Sequence, residues 1–98
     1  MLSIEKSSRI LKMIASVLGE DAPYEVILFG SQSTGQTTSY SDVDIAIKAK
    51  GPLDLAQWQT LETLFEESDF REEFDIVDYH RVAAPFQKIV DSTGIRLR

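Results

Sequence analysis

The chain lacks cysteine and contains a single histidine, His80. Disulfide bonds and zinc sites built from cysteine or clustered histidines are therefore excluded. His80 is expected to cap a backbone group or lie on the surface, with substrate contact as the alternative. No apolar run approaches the roughly 20 residues that a membrane-spanning helix needs. The N-terminus has no basic region followed by an apolar stretch, which argues against a secretory signal. A cytoplasmic location is the resulting expectation.

Basic residues are also scarce. Lys and Arg number 10 against 16 Asp and Glu, which gives a formal net charge of −6. Nonspecific binding to DNA or RNA depends on Lys and Arg side chains that neutralise phosphates, so the chain is not expected to bind nucleic acid stably by itself. The acidic excess is most often only a solvated surface, although it also suits cation binding or a partner with a basic face.

The length of 98 residues predicts one domain, residues 1–98, around one modest core. Apolar spacing and helix-breaking residues predict four strands and three helices. In chain order these are helix 3–18, strand 24–29, strand 42–48, helix 53–68, strand 74–79, helix 85–94 and strand 95–97. Residues 30–41 are rich in Gly, Ser, Thr and Gln, which is typical of a loop. We therefore predict the α/β (α+β) class, with a small mixed β-sheet and helices on one face.

Two carboxylates, Asp42 and Asp44, lie two residues apart at the start of the second predicted strand. Side chains at i and i+2 share one face of a strand, with roughly 7 Å between their Cα atoms. Like charges on one face repel each other unless a cation lies between them, and Mg²⁺ is usually held by one or two carboxylates plus substrate phosphates. The spacing fits a site for Mg²⁺ and a nucleoside triphosphate, although an isolated Asp-x-Asp is more often a solvated strand face.

The pair Gly30-Ser31 directly follows the first predicted strand and precedes Asp42 by ten intervening residues. Glycine allows the backbone to approach a phosphate closely, and a serine hydroxyl can donate to a phosphate oxygen. A Gly-Ser pair alone could be an ordinary turn. Together with the strand-borne Asp-x-Asp, it predicts a nucleotide-binding site.

These motifs resemble those of the nucleotidyltransferase superfamily. The resemblance rests on Phe29-Gly30-Ser31 and on residues 41–47, Ser-Asp-Val-Asp-Ile-Ala-Ile. The chain length and residues 52–54 and 74–78 are similar to the minimal nucleotidyltransferase (MNT) family, and the resemblance covers nearly the whole chain. It implies the nucleotidyltransferase fold and ATP as the substrate.

The resemblance also implies roles for particular residues. Gly30 and Ser31 contact the triphosphate, and Asp42 and Asp44 bind two Mg²⁺ ions. A third carboxylate on a neighbouring strand serves as a metal ligand and as the base for the incoming nucleophile. Asp42, Asp44 and this third carboxylate are thus the expected catalytic residues and metal ligands.

Two residues of the third predicted strand are candidates for the third carboxylate, Asp75 and Asp78. Their odd offset places them on opposite faces of the strand, and Asp75 matches the family position. A strand–helix–strand crossover makes the second and third strands parallel, so both strands begin at the same edge of the sheet. Asp75 is therefore predicted to lie near Asp42 and Asp44, and Asp78 is predicted to be an exposed acid.

The resemblance further implies a helical HEPN partner protein, because MNT proteins are often encoded beside one and some such pairs act as toxin and antitoxin. Family members commonly carry Arg or Lys just after Gly-Ser, whereas this chain has Gln32, Ser33 and Thr34. Phosphoryl transfer depends heavily on cationic groups, so two functions stay open. One is Mg²⁺-dependent transfer of AMP to a hydroxyl of the partner, and the other is a catalytically weak antitoxin or adaptor that acts by binding. The partner or a second copy of the chain would close over the substrate.

Overall fold

The computed structural model describes residues 3–30, 43–71 and 73–98 of the chain. Within these ranges, three helices and four strands follow one another in nearly the predicted order and positions. They are α1 (Ile4–Leu18), β1 (Glu25–Phe29), β2 (Val43–Lys48), α2 (Leu55–Glu66), β3 (Phe74–Asp78), α3 (Ala84–Thr93) and β4 (Ile95–Arg96). None of the helices in these ranges is long and apolar enough to cross a membrane.

The four strands form one mixed sheet in the order β3-β2-β1-β4. Strand β1 runs antiparallel to both β2 and β4, whereas β2 and β3 run parallel. The parallel pair is joined through α2, as expected for a strand–helix–strand crossover. Both predicted strand orientations are thereby confirmed.

Residues at the helix termini explain where the first two helices begin and where α1 ends. Ser3 caps α1 by accepting a hydrogen bond from the Lys6 N–H at 3.1 Å, and Gly19, with φ of 97°, ends that helix. Asp54 caps α2 in the same way, at 2.7 Å from the Gln57 nitrogen. Because the capping residue itself lies outside the helix, α2 begins at Leu55 and not at residue 53.

The main core lies between one face of the sheet and the helices α1 and α2. Strand β2 contributes Val43, Ile45 and Ile47, which are fully buried, because alternate residues of a strand point to the same face. The helices cover these residues with buried side chains at helical spacing, namely Ile10, Ile14, Leu61 and Phe65. Each fully buried aliphatic side chain contributes about 1.5–3 kcal/mol, so this layer fixes β2 firmly in place. The predicted helix cover over this face is confirmed.

The opposite face of the sheet carries a second, smaller cluster. Its buried members are Phe29, Ala46, Tyr79 and Val90, and Ile27, Val77 and Phe86 pack against them. Helix α3 therefore covers part of this second face, whereas the sequence pattern predicted helices on one face only. Phe86 and Val90 lie four residues apart on one helical stripe. The apolar spacing of this helix also predicts an inward position for Ile89, but that side chain is 49% exposed.

Candidate functional site

Three strands bring residues of the predicted site together at one end of the sheet. Asp44 of β2 pairs with Phe29 of β1 on one side and with Asp75 of β3 on the other. Neighbouring strands lie about 4.8 Å apart, and registered residues of a parallel pair point to the same face. Asp44 and Asp75 are therefore side by side, and Gly30 follows Phe29 directly.

Gly30 is required by its backbone conformation and by the space around it. Its φ is 76°, in the left-handed region that residues with a Cβ atom rarely adopt. A Cβ atom built at this position would lie 2.5 Å from Oδ2 of Asp44. The glycine thus lets the backbone at the end of β1 approach the Asp44 carboxylate more closely than any other residue would allow.

The remaining predicted site residues, Ser31 and Asp42, lie outside the described residues, as do Gln32 and Thr34. Their roles stay predictions. Asp42 directly precedes Val43, the first residue of β2.

Asp44 and Asp75, the two predicted site carboxylates that the structure describes, differ in their exposure to solvent. Asp44 is half-buried and Asp75 is exposed, and the strand face behind Asp44 belongs to the fully buried core. Rigid strands supported by a packed core hold functional groups more precisely than loops do. Asp75 is consequently accessible to a substrate, while Asp44 is fixed between its neighbours.

The described donor set consists of carboxylate oxygens only. Within the described ranges, no group of three Asp, Glu, His or Cys side chains stands close enough to hold a metal ion. Asp44 and Asp75 are hard oxygen donors on one face, and Mg²⁺ commonly takes one or two such carboxylates together with substrate phosphates. The chemistry of these residues therefore fits Mg²⁺.

Helix α3 forms a wall beside the site. The ring of Phe86, in the first turn of α3, packs edge-on against Phe29 with 5.6 Å between ring centroids. Gln87 fixes the same turn by donating to the Tyr79 carbonyl oxygen at 2.7 Å. Phe29 pairs with Asp44 and directly precedes Gly30. These contacts therefore hold α3 against the end of β1, beside both site residues.

Tyr79 and Asp91 attach α3 to the end of β3. The Tyr79 hydroxyl donates to both carboxylate oxygens of Asp91, at 3.1 and 3.0 Å. This hydrogen bond, with smaller contributions from burial and from the negative charge of Asp91, raises the pKa of Tyr79. No local sequence pattern identifies this pair, because the two residues lie twelve positions apart on different elements.

Asp78 was predicted to be exposed, and that prediction was wrong. It is 4% exposed and accepts hydrogen bonds from the backbone N–H groups of Leu53, at 2.8 Å, and His80, at 3.0 Å. The Arg81 guanidinium lies 3.6 Å from the carboxylate. The odd offset from Asp75 turns Asp78 toward the α2 side, where it fixes the chain entering α2. His80 itself contacts the Ala49 carbonyl oxygen at 2.6 Å.

Comparison with known proteins agrees with the sequence motifs. The family model described as "Polymerase beta, Nucleotidyltransferase" matches residues 12–98. The chain is 32% identical over 88 residues to a protein of Haemophilus influenzae named probable protein adenylyltransferase MntA, covering 89% of this chain and 77% of that protein.

Two solved structures share the fold. One is a toxin–antitoxin complex with AMP-PNP, with a TM-score of 0.66 and 28% identity over 90% of this chain and 72% of that one. The other is a tri-AMPylated HEPN toxin of Shewanella oneidensis in complex with an MNT antitoxin, with a TM-score of 0.61 and 25% identity over 94% and 71% of the two chains. The mixed sheet, the motif at its edge and the match over residues 12–98 together show that the chain belongs to the polymerase beta nucleotidyltransferase family.

Proposed function

We propose that this nucleotidyltransferase domain moves AMP from ATP to a hydroxyl group on a HEPN-type partner protein, in a reaction that depends on Mg²⁺. The observation that carries the proposal is the register of the sheet. It sets Asp44 beside Asp75 at the end of the sheet where Gly30 follows β1. A cytoplasmic location, where ATP is abundant, is part of the same proposal.

The similar proteins support the choice of nucleotide and acceptor. The Haemophilus influenzae relative is named as a protein adenylyltransferase, one structural neighbour is a toxin–antitoxin with an ATP analogue, and another contains an AMPylated HEPN toxin. All three point to an adenine nucleotide as donor, and two of them point to a protein as the acceptor.

The proposed reaction replaces a phosphoanhydride bond of ATP by a phosphodiester bond to the acceptor. The acceptor oxygen forms a bond to the α-phosphorus of ATP, the bond from that phosphorus to the bridging oxygen of the β-phosphate breaks, and pyrophosphate leaves. Asp75 takes the proton of the attacking hydroxyl, because it is exposed at the sheet edge and lies beside Asp44. Gly30 is expected to contact the triphosphate through its backbone, and Ser31 is expected to donate to it.

The pairing of β2 with β3 places the Asp44 and Asp75 carboxylates side by side before any metal binds. Asp44 and Asp75, together with Asp42, would hold Mg²⁺, which would polarise the α-phosphate and lower the repulsion between the carboxylates. The buried core behind β2 holds that strand in place, and the strand in turn fixes the spacing between the metal ligands.

One observation favours a second function, a catalytically weak antitoxin or adaptor. Residues 32–47 contain no Lys or Arg, although cationic groups that stabilise phosphate charge can be worth roughly 10³–10⁵ in the rate of phosphoryl transfer. A basic surface of the partner could supply that charge, and the net negative charge of this chain favours the approach of such a surface.

Transfer of radiolabel from [α-³²P]ATP to a purified HEPN partner distinguishes the two functions. We expect Mg²⁺-dependent labelling by the wild type, loss of labelling in Asp44→Asn, and normal labelling in Asp21→Asn. Asp21 is an exposed acid in the turn before β1, at the end of that strand opposite Gly30. Absence of labelling with every nucleotide, together with tight partner binding that survives Asp44→Asn, would establish the adaptor function instead.

A further inference from the structure

Strand β3 forms an edge of the sheet. In the order β3-β2-β1-β4, no strand of the described ranges pairs with its outer side. Toward β2, the Glu73 carbonyl accepts from the Val43 N–H at 2.8 Å, and the Tyr79 N–H donates to the Ile47 carbonyl at 3.0 Å. Because backbone groups alternate in direction along a strand, those of Phe74 and Ile76 point outward from the sheet.

The same stretch of β3 lines a groove of about 420 Å³ between the sheet edge and the end of α2. Three packed aromatic rings lie along it: Phe74 stands 5.1 Å from Phe65 and 4.9 Å from Phe70, measured between ring centroids. The guanidinium of Arg9 in α1 packs over the Phe70 ring, 4.3 Å from the ring centroid. Arg9 also forms an ion pair with Asp69. The groove therefore has a fixed apolar floor.

The walls of the groove are strongly acidic. One basic side chain, Arg71, lines it together with four carboxylates, which are Glu62, Glu66, Glu73 and Asp75. All four carboxylates are exposed. A second copy of this chain would bring like charges together if it paired along β3, so the groove is complementary to a basic segment and opposes self-pairing.

We propose that the outer edge of β3 and this acidic groove bind an extended, basic segment of the acceptor protein as an additional strand. An added strand gains main-chain hydrogen bonds from the outward-facing groups of Phe74 and Ile76, and its alternate side chains determine specificity. The Lys or Arg side chains of the segment that point to the α2 side of the sheet would meet Glu62 and Glu66, and their aliphatic stems would cover the aromatic floor. The assignment of this segment to the acceptor protein rests on the proposed function. The added strand would run past Asp75, the proposed base for the acceptor hydroxyl.

The experiment is a titration of ¹⁵N-labelled protein with a synthetic peptide of about eight residues, the length of an ordinary strand, in which Lys and Val alternate. We expect the Phe74 and Ile76 amide signals to shift and their hydrogen exchange to slow. A Glu-Val peptide of equal length should bind at least about tenfold more weakly, and the difference should shrink at high salt. In Glu66→Lys, affinity for the Lys-Val peptide should fall by about fivefold, on the scale of an exposed ion pair.

Glu67→Lys is the matched control, since Glu67 follows Glu66 directly but does not line the groove. Its affinity for the Lys-Val peptide should stay near that of the wild type. The proposal is overturned if the Glu-Val peptide binds as well, if Glu67→Lys weakens binding as much as Glu66→Lys, or if spermine produces the same amide shifts as the Lys-Val peptide. Repeating the titration without ATP in Asp44→Asn separates the two proposals. Peptide binding that persists in Asp44→Asn supports the docking surface independently of catalysis, whereas a wild type that binds the peptide but transfers no AMP to the partner refutes only the proposed activity.

Discussion

Asp44 of β2 and Asp75 of β3 occupy paired positions in the parallel part of the sheet, so their side chains leave the same face from adjacent strands. Gly30 completes this arrangement, because only a residue without a side chain fits beside the Asp44 carboxylate. The pairing follows from the crossover through α2, and it assembles acidic groups that the chain could not bring together locally.

Gly30→Ala should destabilise the protein. The φ of 76° is strained for alanine, and the new Cβ atom would collide with the Asp44 carboxylate. Residues forced into such conformations cost about 1–3 kcal/mol, which urea denaturation will measure. Gly51→Ala is the control, since an added Cβ atom meets nothing within 4 Å there, and its effect should stay within about 0.5 kcal/mol. Equal stability of the two variants would contradict the close approach of Gly30 to Asp44.

Asp44→Asn should separate stability from ligand binding. Removing one of two neighbouring negative charges relieves repulsion, so the thermal midpoint without ligand should be unchanged or higher. Mg²⁺ with ATP should raise the midpoint of the wild type, because a ligand that binds only the folded state stabilises it, but should leave that of the variant unchanged. Thermal unfolding by circular dichroism gives both values. A variant that responds to Mg²⁺ and ATP like the wild type would rule out Asp44 as a ligand.

Asp78→Ala should destabilise the protein more than Asp75→Ala. Asp78 is buried and accepts from the Leu53 and His80 N–H groups, and a buried donor left without its acceptor costs about 1–3 kcal/mol. Asp75 is exposed, so its replacement should change the free energy of unfolding little. Urea denaturation of both variants tests this ranking, and a reversed order would refute a structural role for Asp78.

Tyr79 should ionise at higher pH than an ordinary tyrosine. The hydrogen bond to Asp91 raises the pKa of Tyr79 in the folded protein, which favours the neutral phenol. Its contribution to stability is thus fully present below the ordinary tyrosine pKa of about 10 and is lost as pH rises through the raised value. Asp91→Asn removes the negative charge and should lower the pKa of Tyr79.

NMR titration of ¹³C-labelled tyrosine, with the Tyr79 signal assigned through Tyr79→Phe, measures this change. An unchanged Tyr79 pKa in Asp91→Asn would mean that Asp91 does not determine it.

Much of this arrangement was predictable from local pattern. The alternation of Val43, Ile45 and Ile47 defined the buried face of β2, and the crossover rule favoured Asp75 over Asp78 as the neighbour of Asp44. The burial of Asp78 was not predictable, because its partners, the N–H groups of Leu53 and His80, are set by how the chain enters α2. Apolar alternation predicts on which face of a strand a side chain lies. It does not predict which distant residue forms a hydrogen bond with a buried polar group.

The cover of the second face was missed for a related reason. The apolar positions of α3 predict a helix with one buried stripe, yet the choice of sheet face depends on long-range contacts such as Phe29 with Phe86. The Tyr79–Asp91 hydrogen bond is likewise a consequence of docking and has no signal in the sequence.

The central claim, that Asp44 and Asp75 act together in AMP transfer, is tested most directly by intact-mass spectrometry of the HEPN partner. The partner is incubated with ATP and Mg²⁺ and with wild type, Asp75→Asn or the control Asp21→Asn. We expect a mass gain that corresponds to AMP with wild type and with the control. With Asp75→Asn the rate should be at least about 100-fold lower, since loss of a general base alone costs 10²–10⁴. An undiminished rate with Asp75→Asn would contradict the account.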